Sequence, residues 1–301
     1  MHVFVTGATG LIGRALCPAL LERGHEVTAL SRAPPAVSRL PAGVSVVAGD
    51  PTVPGPWQDT LARADACVSL AGESLDERWT EARKHTFRAS RVDSTRNVAD
   101  VLRTRGPEVL VSASAIGFYG DRGEETLDEA SGPGGDYLAD LCRAWEDAAA
   151  PAAARARVVR LRTGLVLARD GGALPRMVLP FRLFVGGPLG DGRFWQSWIH
   201  LADVVGLVLL ALEDRHAEGP LNAVSPEPAR NRDVAKAIGR LLGRPSALPT
   251  PALAIRLAVG EMAKVVLSSE RVLPAKALSL GYRYRFPALE GALADLLRKA
   301  G

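Results

Sequence analysis

Cysteine is scarce in this chain: Cys17, Cys67 and Cys142 are the three among 301 residues. They are scattered, with no C-x-x-C pair and no histidine cluster beside them, which argues against a disulfide framework and against zinc. All three read as small core residues, and no metal is expected. Long apolar runs are lacking too. Stretches such as Val204 to Leu212 fall far short of the roughly 20 residues that a membrane-spanning helix needs. Met1 leads directly into a strand pattern with no signal-peptide pattern, so a cytoplasmic protein that does not engage membranes is expected. The chain also has no basic run. Its net charge is +4 and its pI near 9.2, but the arginines are interleaved with acids, so no nucleic-acid partner is expected.

What is present is apolar material in quantity. With 47% hydrophobic residues, the chain can bury a large core as one big domain or two. Strand patterns at about 2–6, 26–30, 44–48, 66–70, 108–113 and 157–161 alternate with helical ones, as in a doubly wound parallel α/β sheet. A breaker cluster, SGPGG at 131–135, leads into a helix expected over 136–150 and closed by Pro151. After Gly164 the character changes. Glycines and prolines surround the apolar segment Met177 to Val185, and a helical tail follows Ser246. The expected division is a dinucleotide-binding Rossmann domain over 1–165 and 196–224, with a smaller substrate-side cap over 166–195 and 225–301. In an open α/β sheet such a cap encloses the ligand outside the carboxyl ends of the strands.

The chemistry begins in MHVFVTGATGLIG. Gly7, Gly10 and Gly13 follow a β-branched strand and open an amphipathic helix that stops at Gly24. Gly7 permits a tight turn, Gly10 lets the backbone approach a pyrophosphate, and Gly13 lets the helix pack close to the sheet. The helix N-terminus then presents free N–H groups to the phosphates. Pro18 deletes one helical hydrogen bond, so a local kink is expected there. An NAD-type unit carries Asp or Glu about 20 residues after the glycines to hold the ribose hydroxyl; here Ser31 and Arg32 stand in that place. A guanidinium pairs with a 2′-phosphate and a hydroxyl can donate beside it, so NADP(H) is the expected cofactor.

The whole chain resembles the extended short-chain dehydrogenase/reductases. The resemblance is carried by TGATGLIG at 6–13, LAG at 70–72, VDSTRNVADVL at 92–102, SASAIGFYGD at 112–121 and WIHLADVV at 198–205. SLAGESLDERWTEARKHTFRASRVDSTR at 69–96 and the tail PTPALAIRLAVGEMAKVVLSSERVLPAKALSLGYRYRFP at 249–287 are similar to the epimerase-family subgroup, which carries a small C-terminal domain of unassigned function. The resemblance implies cofactor contacts from Thr6, Gly7, Thr9, Gly10, Leu11, Ile12 and Gly13. A second set implied is Ser31, Arg32, Leu70, Ala71, Gly72, Glu73 and Arg91. It also implies Ser114 as the substrate-orienting hydroxyl, with Ser112 as the alternative if the register slips by a pair, and Tyr137 as the acid/base.

One absence qualifies this chemistry. Relatives place a lysine four residues after the tyrosine, and this chain has Leu141. Without that cation Tyr137 is expected to stay near the ordinary tyrosine value of about 10, a weak base at neutral pH, unless the fold brings in Lys84 or Arg143. Tyr119 with Asp121 forms a second possible pair, and Arg162 falls where relatives place substrate-side residues. Glu73, Arg78, Trp79, Lys84 and Arg91 are expected on the ligand edge. Trp195 and Trp198 are candidates to wall a pocket around Gln196, and His200 is expected to brace packing. The expected partner is a small molecule, with oligomerisation left open. The expected activity is hydride exchange at a carbonyl or alcohol carbon, including epimerisation of a sugar-nucleotide-like substrate; the alternative is a catalytically silent NADP(H)-binding regulator.

Overall fold

The computed structural model describes residues 1–32, 40–76 and 78–297. Its centre is a parallel sheet of β1 (His2–Thr6), β2 (Glu26–Ser31), β3 (Val44–Ala48), β4 (Ala66–Ser69), β5 (Val109–Ala115), β6 (Arg157–Thr163) and β7 (Gly219–Ala223). The spatial order is 3-2-1-4-5-6-7, a Rossmann-type sheet whose order reverses between β1 and β4, where open α/β sheets bind ligands. Six of the strands lie where the alternating pattern puts them. The seventh, GPLNA, opens on Gly219 and Pro220 and so carries little strand signal. It forms the outer edge beside β6, where a proline is tolerated because edge N–H groups need no ladder partner.

The inner strands are apolar on both faces because both are covered. On one face α1 (Leu11–Glu22) and α7 (Leu201–Glu213) bury Leu16, Leu20, Val204 and Val208 against Val3, Val5 and Val111. Arg23 at the end of α1 pairs with Glu213 at the end of α7 at 2.9 Å. On the other face Phe4 stacks on Trp57 of α2 (Trp57–Leu61), with ring centroids 6.2 Å apart. Val98 and Leu102 of α4 (Ser94–Leu102) complete that layer. Pro18 lies inside α1, which runs unbroken to Glu22, and Gly24 takes φ +75° just beyond it. α5 (Tyr137–Ala149) starts at Asp136, whose carboxylate accepts from the Ala139 N–H at 2.9 Å.

Past β6 the chain builds a second layer over the strand ends. Residues 165–168 pair with 198–200 and 171–172, and 195–196 pair with 229–230. α6 (Leu174–Arg182), α8 (Asn231–Leu242) and the helix Leu289–Leu297 enclose a separate apolar cluster around Trp198. The strand Arg271–Val272 runs parallel to Thr126–Leu127, which fastens the C-terminal segment to the loop after β5. Among the described residues no helix is long and apolar enough to cross a membrane.

Candidate functional site

The glycine turn has the steric form of a phosphate cradle. Gly7 takes φ +71°, and a Cβ on it would stand 2.7 Å from the Leu70 backbone. A Cβ on Gly13 would stand 2.4 Å from the Gly7 carbonyl oxygen, so the turn and the first helical turn interlock only as glycines. Gly10 is different: a Cβ there meets only the Gly7 oxygen, at 3.2 Å. Its outer side is exposed. Gly10 caps α1 without a side-chain hydrogen bond, and no acid stands in the first turn. The helix N-terminus is thereby left to an anion. Thr6 Oγ1 accepts from the Ala71 N–H at 3.3 Å, which ties the glycine turn to the Leu70–Gly72 turn after β4.

The next group sits at the end of β2. Ser31 is buried, and Arg32 is 61% exposed with its guanidinium 3.0 Å from the Glu73 carboxylate. Glu73 is in turn held by its backbone. Its N–H donates to Ser90 Oγ at 3.1 Å and its carbonyl accepts from Arg91 Nη2 at 2.8 Å. Arg91 is buried against Gly72 and lies over the Trp145 ring, 5.3 Å from its centroid. Burial lowers its pKa. It comes from a π-helical turn, Ala89–Asp93, between α3 (Glu81–Arg88) and α4, a local irregularity typical of functional sites. Arg91 thus braces the 70–73 turn from behind, while Arg32 faces solvent.

The sheet ends open into a cavity of about 530 Å³. Ala115 at the end of β5 and Thr163 at the end of β6 form its floor, with Trp79, Leu138, Phe181 and Trp195 among its walls. Ser114 is not part of this lining. It is 4% exposed, and its hydroxyl donates to Glu146 Oε1 of α5 at 2.7 Å. Side chains alternate along a strand, so Ser114 faces α5 while its neighbour Ala115 meets the cavity. Glu146 also takes Arg162 through Nε at 2.7 Å and Nη2 at 2.9 Å. Burial alone would lower the pKa of Arg162, but the bonds to Glu146 more than offset it and hold the cation. The network continues from Arg162 to the Tyr119 hydroxyl at 3.0 Å, from Tyr119 to Asn222 Oδ1 at 2.7 Å, and from Asn222 to the Leu273 carbonyl at 2.9 Å. Tyr119 and Arg162, candidates from the sequence, are joined in this brace. Ser112 is buried with no hydrogen-bond partner for its hydroxyl among the described residues. Asp121 accepts from the Gly123 N–H at 3.1 Å.

Tyr137 lies behind the Trp79 wall, edge-on to it with centroids 5.4 Å apart. Its hydroxyl donates to the Lys84 backbone carbonyl at 3.2 Å. Burial raises its pKa against the opposing pull of Lys84 and Arg91, so its hydroxyl keeps its proton at neutral pH. Lys84 Nζ lies 5.3 Å from the Tyr137 ring centroid but is paired with Glu261 at 2.7 Å and Glu81 at 3.0 Å. Arg143 pairs with Asp140. Leu141 is buried, 3% exposed. Among the described residues no cation replaces the missing lysine at the hydroxyl itself. Trp198 is turned into the core, its indole N–H on the Glu227 carbonyl at 2.9 Å, so of the two tryptophans only Trp195 walls the cavity. His200 accepts from the Ala202 N–H at 3.0 Å and stacks on Phe286 at 3.9 Å, a packing brace as its position suggests.

Two acids escaped the sequence reading. Glu146 is hidden in a helix, where nothing in the pattern separates it from a surface charge. Glu270 lies in the C-terminal segment and reaches the cavity wall beside Ser197 and Ser268. A second hollow of about 440 Å³, beside the exposed Asp233, Lys236 and Arg240 of α8, is an open surface feature. Among the described residues no group of three potential metal ligands is assembled.

Residues 3–224 match the family model described as the NAD dependent epimerase/dehydratase family, and residues 250–296 match a domain of unknown function, DUF1731. Epimerase family protein SDR39U1 of Homo sapiens is 36% identical over 305 residues, spanning 99% of this chain and 100% of the human protein. Its chloroplastic homologue in Arabidopsis thaliana is 38% identical over 307 residues, 99% of this chain and 87% of the plant protein. The crystal structure of human SDR39U1 (isoform 2) with NADPH superposes with a TM-score of 0.87 at 35% identity, covering 98% of this chain and 99% of that one. A nucleoside-diphosphate sugar epimerase from Corynebacterium glutamicum gives a TM-score of 0.80 at 37% identity, over 98% of this chain and 58% of the other.

Proposed function

The chain belongs to the NAD dependent epimerase/dehydratase family, and from that premise we propose that it is an NADP(H)-dependent oxidoreductase or epimerase. Its reaction is hydride exchange at a carbonyl or alcohol carbon of a small molecule held in the cavity. The observation that carries this reading is the placement of the cavity, which starts at Ala115 and Thr163, the carboxyl ends of adjacent strands of the sheet that carries the glycine cradle. NADPH, with which the human relative was crystallised, supplies the hydride. Gly7, Gly10 and the start of α1 fit its pyrophosphate, and Arg32 fits its 2′-phosphate. The 70–73 turn, backed by Arg91, forms the facing wall.

Within this reading Tyr137 is the proton donor, the role its place in the family pattern gives it; like any phenol it is protonated at neutral pH, and burial, which raises its pKa, does not change that. To reach a substrate oxygen it must leave the Lys84 carbonyl. Ser114 supports the floor from below through Glu146, so a direct substrate role for it requires that this bond open. The test is NADPH oxidation followed by absorbance against aldehydes, ketones and nucleotide sugars. Substrate-dependent oxidation supports an enzyme. A second reading, an NADP(H)-binding protein without turnover, is favoured by the buried Leu141 in the lysine position; it prevails if NADPH binds tightly and no compound is reduced.

A further inference from the structure

Glu270 is a carboxyl group that neither the cofactor cradle nor the Tyr137 reading uses. Its backbone is fixed on both sides. The N–H donates to the Trp195 carbonyl at 3.2 Å, and the carbonyl accepts from Ser197 Oγ at 2.7 Å. The side chain lines the cavity, where Ser268 Oγ at 3.2 Å is its one hydrogen-bond partner among the described residues. No cation among the described residues pairs with it. The charged groups that bear on it are Asp136 and Asp121, of its own sign. The guanidiniums of the neighbouring Arg271 and of Arg230 lie over the Trp195 ring at 4.7 and 4.3 Å, and Arg230 is paired with Glu124 at 2.7 Å.

The rest of the wall is chiefly apolar, with Trp79, Ile116, Leu138, Phe181 and Val266 prominent. Among the described residues its single cationic side chain, Arg176, is 63% exposed and already paired with Asp76 at 3.1 Å. A diphosphate is best held by convergent cations that replace its hydration, and the described residues of this wall supply none that is free. The starts of α6 and α8, Ala173 and Asn231, reach the wall, but the first two N–H groups of α8 already donate to the Phe194 and Gly192 carbonyls. Resting on the reading that this cavity is the substrate site, we infer that it takes an uncharged, largely apolar carbonyl or alcohol compound, whose oxygen accepts a hydrogen bond from the Glu270 carboxyl group. It does not take a nucleoside diphosphate sugar. Burial raises the Glu270 carboxyl to about 7, against the pull of Ser268 and with added repulsion from Asp136 and Asp121. The group therefore carries its proton through the lower part of the neutral range, as a donor must.

The experiment is a binding titration with 2-acetylnaphthalene and with UDP-glucose, on the free protein and on the protein saturated with NADP⁺, so that no hydride leaves. Affinity for NADP⁺ is measured separately, so a failed cofactor site and a wrongly assigned cavity give different results. The ketone is expected to bind both forms and UDP-glucose neither. If only protonated Glu270 holds the ketone, affinity falls about 10-fold between pH 6 and pH 8. Glu270→Gln, which keeps an N–H donor, should bind the ketone with no such pH dependence, and Glu270→Leu should lose at least the same factor at pH 6. Preference for UDP-glucose, or a wild-type affinity flat from pH 6 to pH 8, overturns the inference without touching the cofactor assignment. Loss of NADP⁺ binding with the ketone result intact overturns the oxidoreductase reading instead.

Discussion

Ser114 donates its hydroxyl hydrogen to Glu146 Oε1 at 2.7 Å, on the oxygen that also takes Arg162 Nε at 2.7 Å. The serine is thereby part of a buried charge network that joins β5, β6 and α5 beneath the cavity floor. Ser114→Ala removes one bond to an ionised group and should cost about 1.5–3 kcal/mol of stability. Arg162→Met, which leaves the buried Glu146 with only the more distant Arg160 at 3.7 Å as a cation, should cost more, about 3–5 kcal/mol. Denaturant unfolding of both variants checks the order. An unchanged Ser114→Ala midpoint together with a large loss of turnover would instead mark the hydroxyl as a substrate contact.

The glycines divide by what surrounds them. Gly10 has open space beyond the Gly7 oxygen, so Gly10→Val should fold and lose NADPH binding at least 100-fold, because the branched side chain occupies the phosphate approach. Gly13→Ala, whose Cβ would meet backbone at 2.4 Å, should fail in folding itself. Circular dichroism with calorimetric titration separates the two outcomes.

Cofactor choice turns on Arg32. A charge-assisted contact of about 1.5–3 kcal/mol predicts roughly 10- to 100-fold tighter binding of NADPH than NADH, largely erased in Arg32→Ala. Arg32 now pairs with Glu73, which competes for the same guanidinium. Glu73→Gln should therefore sharpen the preference, and added salt should blunt it, since Arg32 is mostly exposed. Equal affinities for the two cofactors in the unmodified chain would remove the argument.

Turnover, once a substrate is found, should drop about 100- to 10,000-fold in Tyr137→Phe, the usual contribution of a positioned proton donor. Leu141→Lys is not a simple restoration, because position 141 is 3% exposed. Burying the new ammonium should destabilise the protein before it can tune Tyr137. A melting temperature that is unchanged by Leu141→Lys contradicts this account of α5.

Glu270 makes the stability of the protein depend on pH. Its folded pKa of about 7 exceeds the ordinary glutamate value of 4.5, so the folded state binds more protons than the unfolded one between these values. Stability contributed by this group is therefore full below about pH 4.5 and declines until about pH 7, after which the loss is constant. Glu270→Gln removes the dependence, and above pH 7 it should be the more stable protein by up to roughly 3 kcal/mol. Chemical denaturation at pH 5 and pH 8 measures the difference; a variant less stable than wild type at pH 8 refutes it.

The sequence by itself determined six of the seven strands of the sheet, the glycine turn and the family. Those features are local: a β-branched strand, three glycines at fixed spacing and an amphipathic helix depend on neighbours a few residues apart. It also marked Tyr119, Arg162 and His200 as residues of interest, and the absence of lysine at 141. What each of these does was decided only in three dimensions. Ser114 and Ala115 are adjacent letters, yet the pleat sends one toward Glu146 and the other to the cavity. The edge strand Gly219–Ala223 has too weak a pattern to declare itself and is recruited by pairing with β6. Glu270 reaches the cavity from the far end of the chain because Ser197 and Trp195 fix its backbone there. Such contacts between residues tens of positions apart leave no periodicity to read, since the packing of separate elements, and not any local propensity, brings them together.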